Sequence, residues 1–178
     1  MWTDDTECEN YEPTVDTRTD AWKIMLTAEE KSLIEATFAL YETKSASAVE
    51  GMRILQDSRG WVSDEAMADL AELLGVSADR LDSLATFYSM IFRRPVGRHV
   101  IMVCSSVCCW MLGYEKVVEY LRDRLEIDLG GTTSDGRFTL LPVVCIGACD
   151  HAPAMLVDWQ LHGDLTPDKI DAALARYS

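Results

Sequence analysis

Apolar residues recur at helical spacing through residues 27–89. Intervals of three and four residues place side chains on one face of a helix, so the pattern predicts four short amphipathic helices. Short helices joined by tight loops favour a small helical bundle. The side chains predicted to face its core are Leu33, Ile34, Phe38, Tyr41, Val49, Met52, Leu55, Met67, Leu70, Ala71, Leu74, Leu81, Leu84, Ala85 and Tyr88.

The predicted helices carry recognisable start and stop signals. Thr27 with Glu30, and Ser47 with Glu50, have capping-box spacing, in which each side chain satisfies a free backbone N–H of the other residue. Gly60 is predicted to end the second helix. The remaining caps and stops are Ser63, Gly75 and Ser77.

The periodicity changes after the sequence Arg-Arg-Pro-Val-Gly at residues 93–97. Short β-branched and apolar runs predict strands at 99–104, 137–144 and 154–159, with a helix over 113–127 between the first two. Thr166 and Pro167 open a last helix, with a cap and a proline at its first position. This order of elements predicts an α/β (α+β) fold with a mixed sheet covered by helices. A thioredoxin-like arrangement is the compact way to build such a fold.

Three segments follow from these patterns. Residues 1–20 contain seven acidic residues and one basic residue, without periodicity, and are predicted to form a disordered tail. Residues 21–92 form the predicted helical bundle, and residues 93–178 form the predicted thioredoxin-like domain.

The overall charge narrows the classes of partner. The chain has 178 residues, with 30 acidic residues against 16 basic ones and a net charge of −14. Such a balance argues against nucleic acid as a partner. The longest apolar stretch, 140–149, is far below the roughly twenty residues that cross a bilayer, and no secretory signal is recognisable. A cytoplasmic protein without direct membrane insertion is expected.

Cysteine is the residue type that calls for an explanation, because disulfides are rare in that compartment. Five of the six cysteines fall in two clusters, C-x4-C at Cys104 and Cys109, and C-x3-C at Cys145 and Cys149. Each cluster follows a predicted strand, and loops at neighbouring strand ends can converge. These four cysteines are the candidate metal ligands, while Cys8 has no nearby partner in the sequence and is set aside.

The spacing of the cysteines does not distinguish an iron-sulfur centre from a structural zinc site. It disfavours disulfides and a catalytic cysteine pair. Bulky apolar neighbours favour a redox centre kept from water. Gly147 lets backbone N–H groups approach sulfur. The apolar neighbours are Val107, Trp110, Met111, Val143, Val144 and Ile146.

Several motifs extend over residues 27–177 and resemble those of a known family. They are Gly60-Trp61-Val62, Ala85-Thr86-Phe87-Tyr88-Ser89, Pro95-Val96-Gly97-Arg98-His99, Asp135-Gly136-Arg137-Phe138-Thr139-Leu140 and Cys145-Ile146-Gly147-Ala148-Cys149-Asp150. The chain resembles the 24-kDa, or E, subunit of the proton-translocating NADH:quinone oxidoreductase, respiratory complex I, within the thioredoxin-like 2Fe-2S ferredoxins.

The resemblance implies a helical bundle followed by a ferredoxin domain that holds one 2Fe-2S cluster. The family's ligands fall on Cys104, Cys109, Cys145 and Cys149. Cys108 departs from the pattern, and its side chain would point away from that of Cys109 if the loop were extended.

The resemblance also implies a function. The cluster would exchange an electron with FMN on an adjacent flavoprotein subunit, which would bind FMN and NADH, since no G-x-G-x-x-G follows a strand here. The chain would belong to an enzyme complex on the cytoplasmic side of the inner membrane, without catalysis of its own. The alternatives are an equivalent subunit of an NAD-linked hydrogenase or formate dehydrogenase, and a zinc-stapled adaptor. The helical bundle is expected to supply much of the partner contact.

Overall fold

The computed structural model describes residues 26–177, so the predicted tail and Cys8 lie outside the described residues. The N-terminal half consists of four α-helices connected by short turns. They are α1 (Ala28–Thr37), α2 (Ala48–Arg59), α3 (Asp64–Leu74) and α4 (Ala78–Phe87). None of the helices in the described range is long and apolar enough to cross a membrane.

Most helix ends are formed by the residues that the sequence indicates. Thr27 and Glu30 form the complete capping box of α1. The hydroxyls of Ser63 and Ser77 accept hydrogen bonds from N–H groups in the first turns of α3 and α4. Gly60 ends α2 in the left-handed conformation, which glycine adopts without a steric penalty.

The predicted capping box at Ser47 is wrong. The chain enters α2 through a 3-10 turn at Lys44–Ser47, so Ser47 has φ −82° and ψ 8° instead of the extended backbone of a cap. Its hydroxyl donates to the carbonyl oxygen of Lys44. Glu50 accepts instead from the guanidinium of Arg53, at 2.8 Å.

The bundle core contains most of the predicted apolar side chains, with Ile34, Met52, Leu55, Leu70 and Leu81 fully buried. Three predicted core residues are exposed. Leu33 lies at the edge of the α1 stripe, Tyr41 lies beyond the end of α1, and Tyr88 adopts an extended conformation at the end of α4.

The C-terminal half is built on a four-stranded mixed sheet with the order β2-β1-β3-β4. Strand β1 is parallel to β2 and antiparallel to β3, which pairs antiparallel with β4. The strands are β1 (His99–Cys104), β2 (Phe138–Val143), β3 (Met155–Val157) and β4 (Gln160–His162); the helices are α5 (Val107–Met111), α6 (Tyr114–Leu125) and α7 (Pro167–Leu174). Strand β4 and helix α5 are absent from the predicted element order.

Each face of the sheet has its own apolar layer. On one face, Ile101, Phe138 and Leu140 pack with buried residues of α6 and α7. On the other face, Met90 and Phe92, from the segment after α4, pack against a cluster of buried strand residues. That cluster consists of Val100, Met102 and Val143.

Gln56 ties the bundle to this segment. Its side chain is buried, donates through Nε2 to the carbonyl oxygen of Met90 at 2.9 Å, and accepts at Oε1 from the N–H of Phe92 at 2.6 Å. The carbonyl oxygen of Phe92 accepts from the N–H of Val62. One helix of the bundle therefore holds the segment that packs beneath the sheet.

Gln56→Leu should lower the free energy of unfolding by about 2–4 kcal/mol, because leucine fits the volume but leaves two backbone groups unpaired. Urea titration followed by circular dichroism measures the change. Gln160→Leu is the control, because that side chain is exposed and, among the described residues, accepts a hydrogen bond only from the Tyr177 hydroxyl, at 3.2 Å; it should change the free energy of unfolding by about 1 kcal/mol or less. An equally small effect at Gln56 would show that its hydrogen bonds to Met90 and Phe92 do not stabilise the protein.

Glu30 should give the bundle a measurable acid sensitivity. Its carboxylate is buried and accepts from the Arg59 guanidinium at 2.6 and 2.7 Å. Chiefly through that interaction, and further through Ser58 and the N–H of Thr27, its pKa falls from 4.5 to about 2. Because the folded pKa is depressed, the stabilisation is complete above pH 4.5 and is lost as the pH falls towards 2.

Glu30→Gln should therefore reduce the free energy of unfolding at neutral pH and flatten its dependence on pH between 4.5 and 2. Urea titrations across that range provide the measurement. Glu29→Gln removes an exposed carboxylate from the same turn and should keep the wild-type slope. If the Glu30 variant kept that slope as well, the Arg59 contact would not be the source of the acid sensitivity.

Candidate metal centre

The parallel pairing of β1 and β2 brings the two cysteine clusters together. Cys104 is the last residue of β1 and lies opposite Val143, the last residue of β2. Parallel strands end at the same edge of a sheet, so the loops that follow them leave side by side. Cys145, two residues beyond β2, consequently lies close to the start of α5, which carries Cys109.

Cys104 and Cys109 form the buried part of the site, each with 2% of its surface exposed. They pack with Ala148 and Ala154, and the N–H of Cys104 donates to the carbonyl oxygen of Ala154 at 3.1 Å. Burial raises the pKa of Cys109, and the neighbouring Cys104 thiol raises it further, while a backbone hydrogen bond from Ala154 opposes both effects. The first cluster is thus a pair of adjacent thiols in an apolar setting.

Cys145 and Cys149 form the exposed part of the site, with their Sγ atoms 3.6 Å apart. Two thiolates on one tetrahedral metal at about 2.3 Å lie roughly 3.8 Å apart, so the separation suits a shared metal ion. Gly147, at φ +82°, directs its N–H at Cys145, and this contact is the largest cause of the lowered pKa of Cys145. Cys145 in turn raises the pKa of Cys149 to about 11.

The two pairs adjoin each other. The charge of Cys145 contributes to the raised pKa of Cys109, so the exposed and buried sulfurs share one electrostatic environment. Among residues 26–177, no three His, Cys, Asp or Glu side chains are grouped around one point suitable for a single metal ion. The four predicted ligands are arranged as two pairs, and a cluster of two irons takes two thiolates on each iron.

Cys108 is a fifth thiol at the site. Its predicted orientation assumed an extended loop, and that assumption is wrong because Val107–Met111 forms α5. Successive residues on a helix point about 100° apart, so Cys108 turns away from Cys109 but towards the exposed pair. There its half-buried thiol lies near enough to Cys149 to raise the pKa of that cysteine.

Of the six apolar neighbours predicted to shield the site, four are exposed, whereas Ile146 packs against the buried cysteines. Val143 is buried, but Trp110 and Met111 are 58% and 74% exposed, and Val107 and Val144 are exposed to a similar extent. The first cluster continues into α5, whose outer side faces away from the protein. The result is an apolar surface beside two exposed cysteines.

Paired thiols at the edge of a mixed sheet are typical of a protein that binds zinc or an iron-sulfur cluster. Comparison with known families specifies the class further. The family model of the thioredoxin-like [2Fe-2S] ferredoxins matches residues 34–178. The chain belongs to this family, which answers the question between iron and zinc that spacing left open, in favour of one 2Fe-2S cluster.

Curated relatives match along nearly their whole length. The chain is 47% identical to the E subunit of the NADH-quinone oxidoreductase of Pseudomonas aeruginosa, over 87% of this chain and 93% of the relative. It is 45% identical to the corresponding E subunit of Escherichia coli, over 95% of this chain and 98% of the relative.

A solved structure shares the fold. An NAD+-reducing [NiFe]-hydrogenase in the H2-reduced state superposes with a TM-score of 0.62 at 23% identity. The match covers 74% of this chain and 22% of the hydrogenase chain.

Proposed function

We propose that this chain is the E subunit of an NADH-quinone oxidoreductase and passes single electrons between its 2Fe-2S cluster and a flavin-bearing partner subunit. The observation that carries the proposal is the identity of 45–47% to two subunits of that name, over 93–98% of their length. The hydrogenase shares the fold at 23% identity, which favours no second function.

We assign the cluster ligands to Cys104, Cys109, Cys145 and Cys149, with each adjacent pair on one iron. The 3.6 Å separation in the exposed pair and the contact in the buried pair support this division. Thiols bind metal as thiolates, and the N–H of Gly147 already favours the ionised form of Cys145. When bound, the cluster supplies one-electron chemistry, and the chain needs no catalytic residue of its own.

The two cysteine pairs differ in exposure, so that one pair holds the cluster against the protein and the other leaves it accessible. Cys104 and Cys109 lie among buried residues and exclude water from one side, while Cys145 and Cys149 face the solvent. An electron therefore enters and leaves on the side of the exposed pair.

The partner docks on what we call the cluster face, a group of exposed apolar residues beside that pair. Contiguous exposed apolar surface marks interaction sites, because its burial against a partner is favourable. Covering it also brings a partner's electron donor close to the exposed sulfurs. The cluster face consists of Val107, Trp110, Met111, Leu112 and Val144. It replaces the bundle as the main contact in our proposal.

The remaining assignments follow from the subunit role. FMN and NADH bind the partner, and this chain lies on the cytoplasmic side of the inner membrane as a peripheral part of the complex. An acidic net charge of −14 agrees with protein partners and not with nucleic acid.

Replacing any of the four proposed ligands with alanine should remove the 2Fe-2S cluster, because one iron would lose a thiolate. The protein is reconstituted without oxygen, iron and sulfide are counted per chain, and the reduced-state EPR signal is recorded. Cys8→Ala and Cys108→Ala are matched controls that should retain about two irons per chain. A full cluster in a ligand variant, or its loss in Cys108→Ala, would overturn the assignment.

Trp110→Glu should weaken copurification of the flavoprotein subunit at least about tenfold while leaving the cluster intact, because it places a charge in the apolar cluster face. Phe87→Glu is the control, since Phe87 is 79% exposed but lies on the bundle. Coexpression and pull-down of the tagged chain measure the change. A loss with Phe87→Glu alone would identify the bundle as the contact instead.

A further inference from the structure

Cys149 is the proposed ligand with the least regular structure around it. Cys104 ends strand β1, Cys109 lies in α5, and Cys145 follows β2 by two residues. The last ligand instead begins a short 3-10 turn, Cys149–His151. A helical turn of three residues has little stability of its own, so contacts from another part of the chain must hold it in place.

Those contacts come from the segment that joins β4 to α7. The N–H of Asp164 donates to the carbonyl oxygen of His151 at 2.6 Å. The N–H of Leu165 donates to the carbonyl oxygen of Pro153 at 3.0 Å. Oδ2 of Asp164 also accepts from Nδ1 of His151, at 3.1 Å. Because Leu165 is buried in the apolar layer that α6 and α7 cover, the turn that carries Cys149 is tied to the core of the sheet.

Gly163, the residue before Asp164, allows this close approach. A Cβ at this position would lie 2.6 Å from the Cβ of His151 and 2.9 Å from its carbonyl oxygen. The first distance is well below the roughly 3.5–4.0 Å at which carbon atoms pack. Glycine is the residue that lets two backbone segments come so near. Any side chain here would displace either the end of β4 or the turn of Cys149.

We propose that Gly163 and Asp164 are positioning residues for the cluster, which hold Cys149 in place beside Cys145. This inference rests on the proposed ligand set, and neither residue acts as a ligand. The side chains of His151 and Asp164 are each more than half exposed, and an exposed pair contributes little. The backbone contacts and the close fit at Gly163 therefore supply most of the effect.

The experiment measures how fast a chelator removes iron from the cluster-loaded protein, because a ligand turn that opens more often exposes the cluster. Gly163→Ala should speed the loss about tenfold or more, since crowding displaces the turn. Asp164→Gly permits the left-handed backbone, φ +51°, but removes the side chain, and should speed the loss about two- to fivefold. Asp164→Asn keeps an acceptor and tolerates that conformation, so it should stay near the wild-type rate.

The reduced-state EPR signal of the loaded proteins is a second measurement. It should shift or broaden in Gly163→Ala, because the displaced turn changes the surroundings of one iron. It should keep its wild-type form in Asp164→Asn. A loss of stability alone would leave this signal unchanged.

Two matched variants control for a general loss of stability. A Cβ on Gly97 would lie 3.0 Å from the carbonyl oxygens of Gly136 and Arg137, but Gly97 precedes β1 and is at the sheet edge opposite the cysteines. Asp171, on α7, accepts from the guanidinium of Arg124 at 2.9 Å. Gly97→Ala and Asp171→Ala should lower the free energy of unfolding in urea, yet leave the rate of iron loss and the EPR signal unchanged.

The outcomes distinguish this inference from the ligand assignment. A full cluster in Cys149→Ala would overturn the ligand set and the inference with it. If the ligand set holds, a wild-type rate of iron loss in Gly163→Ala would overturn the positioning role alone, as would an equal acceleration in Gly97→Ala.

Two further outcomes cover a variant that cannot be loaded. A folded Gly163→Ala protein that takes up no cluster, while Gly97→Ala loads fully, supports the proposal. If Gly163→Ala does not fold, Asp164→Gly decides. Faster iron loss in Asp164→Gly but not in Asp164→Asn supports the proposal, and a wild-type rate in Asp164→Gly overturns it.

Discussion

The parallel pairing of β1 with β2 is the constraint on which the site depends. It places Cys104 opposite Val143, so that two loops separated by more than thirty residues begin at one edge. Burial of Phe138 and Leu140 beneath the helices fixes the register. A slip by one residue would turn those side chains to the other face, where they would lose their apolar contacts. The energy that holds the cysteines together is thus supplied by the sheet core, and the cysteines need not attract one another.

One cysteine pair of the site is buried and the other is exposed, and this difference suits electron transfer to a specific partner. A cluster buried on all sides would be protected but inaccessible, while one exposed on all sides would exchange electrons with any partner. Here Cys104 and Cys109 are supported by buried alanines, whereas Cys145 and Cys149 open onto the apolar surface of α5. Leaving Trp110 in water costs free energy in the isolated chain, and a partner that covers it recovers that free energy. The exposed apolar residues and the exposed sulfurs therefore belong to one surface, which a single partner can cover.

Features with a local signal could be predicted from the sequence, and features that depend on distant contacts could not. Caps such as Thr27, and the glycines that end α2 and α3, satisfy backbone groups within a few residues. The four candidate ligands likewise stand out by spacing and by the family resemblance. Strand β4 gives no such signal, because it follows a turn in which Asp158 has a positive φ and accepts from the N–H of Val100, fifty-eight residues away. The orientation of Cys108 and the exposure of Trp110 could not be predicted from the sequence either, because a five-residue helix is too short to show a periodic pattern.

Two electrostatic influences on the cluster oppose each other, and distance decides between them. The net charge of −14 makes added negative charge unfavourable, but most acidic groups are exposed, and beyond about 8 Å their effect is screened by physiological salt. Asp150, beside Cys149, is exposed as well, and its carboxylate lies 3.5 Å from Nε2 of the His151 ring. The N–H of Gly147 acts on Cys145 at hydrogen-bonding range, where no salt intervenes, and lowers the pKa of that thiol. A donor so close to a cysteine sulfur therefore has more influence on the cluster than the many exposed carboxylates that give the chain its acidity.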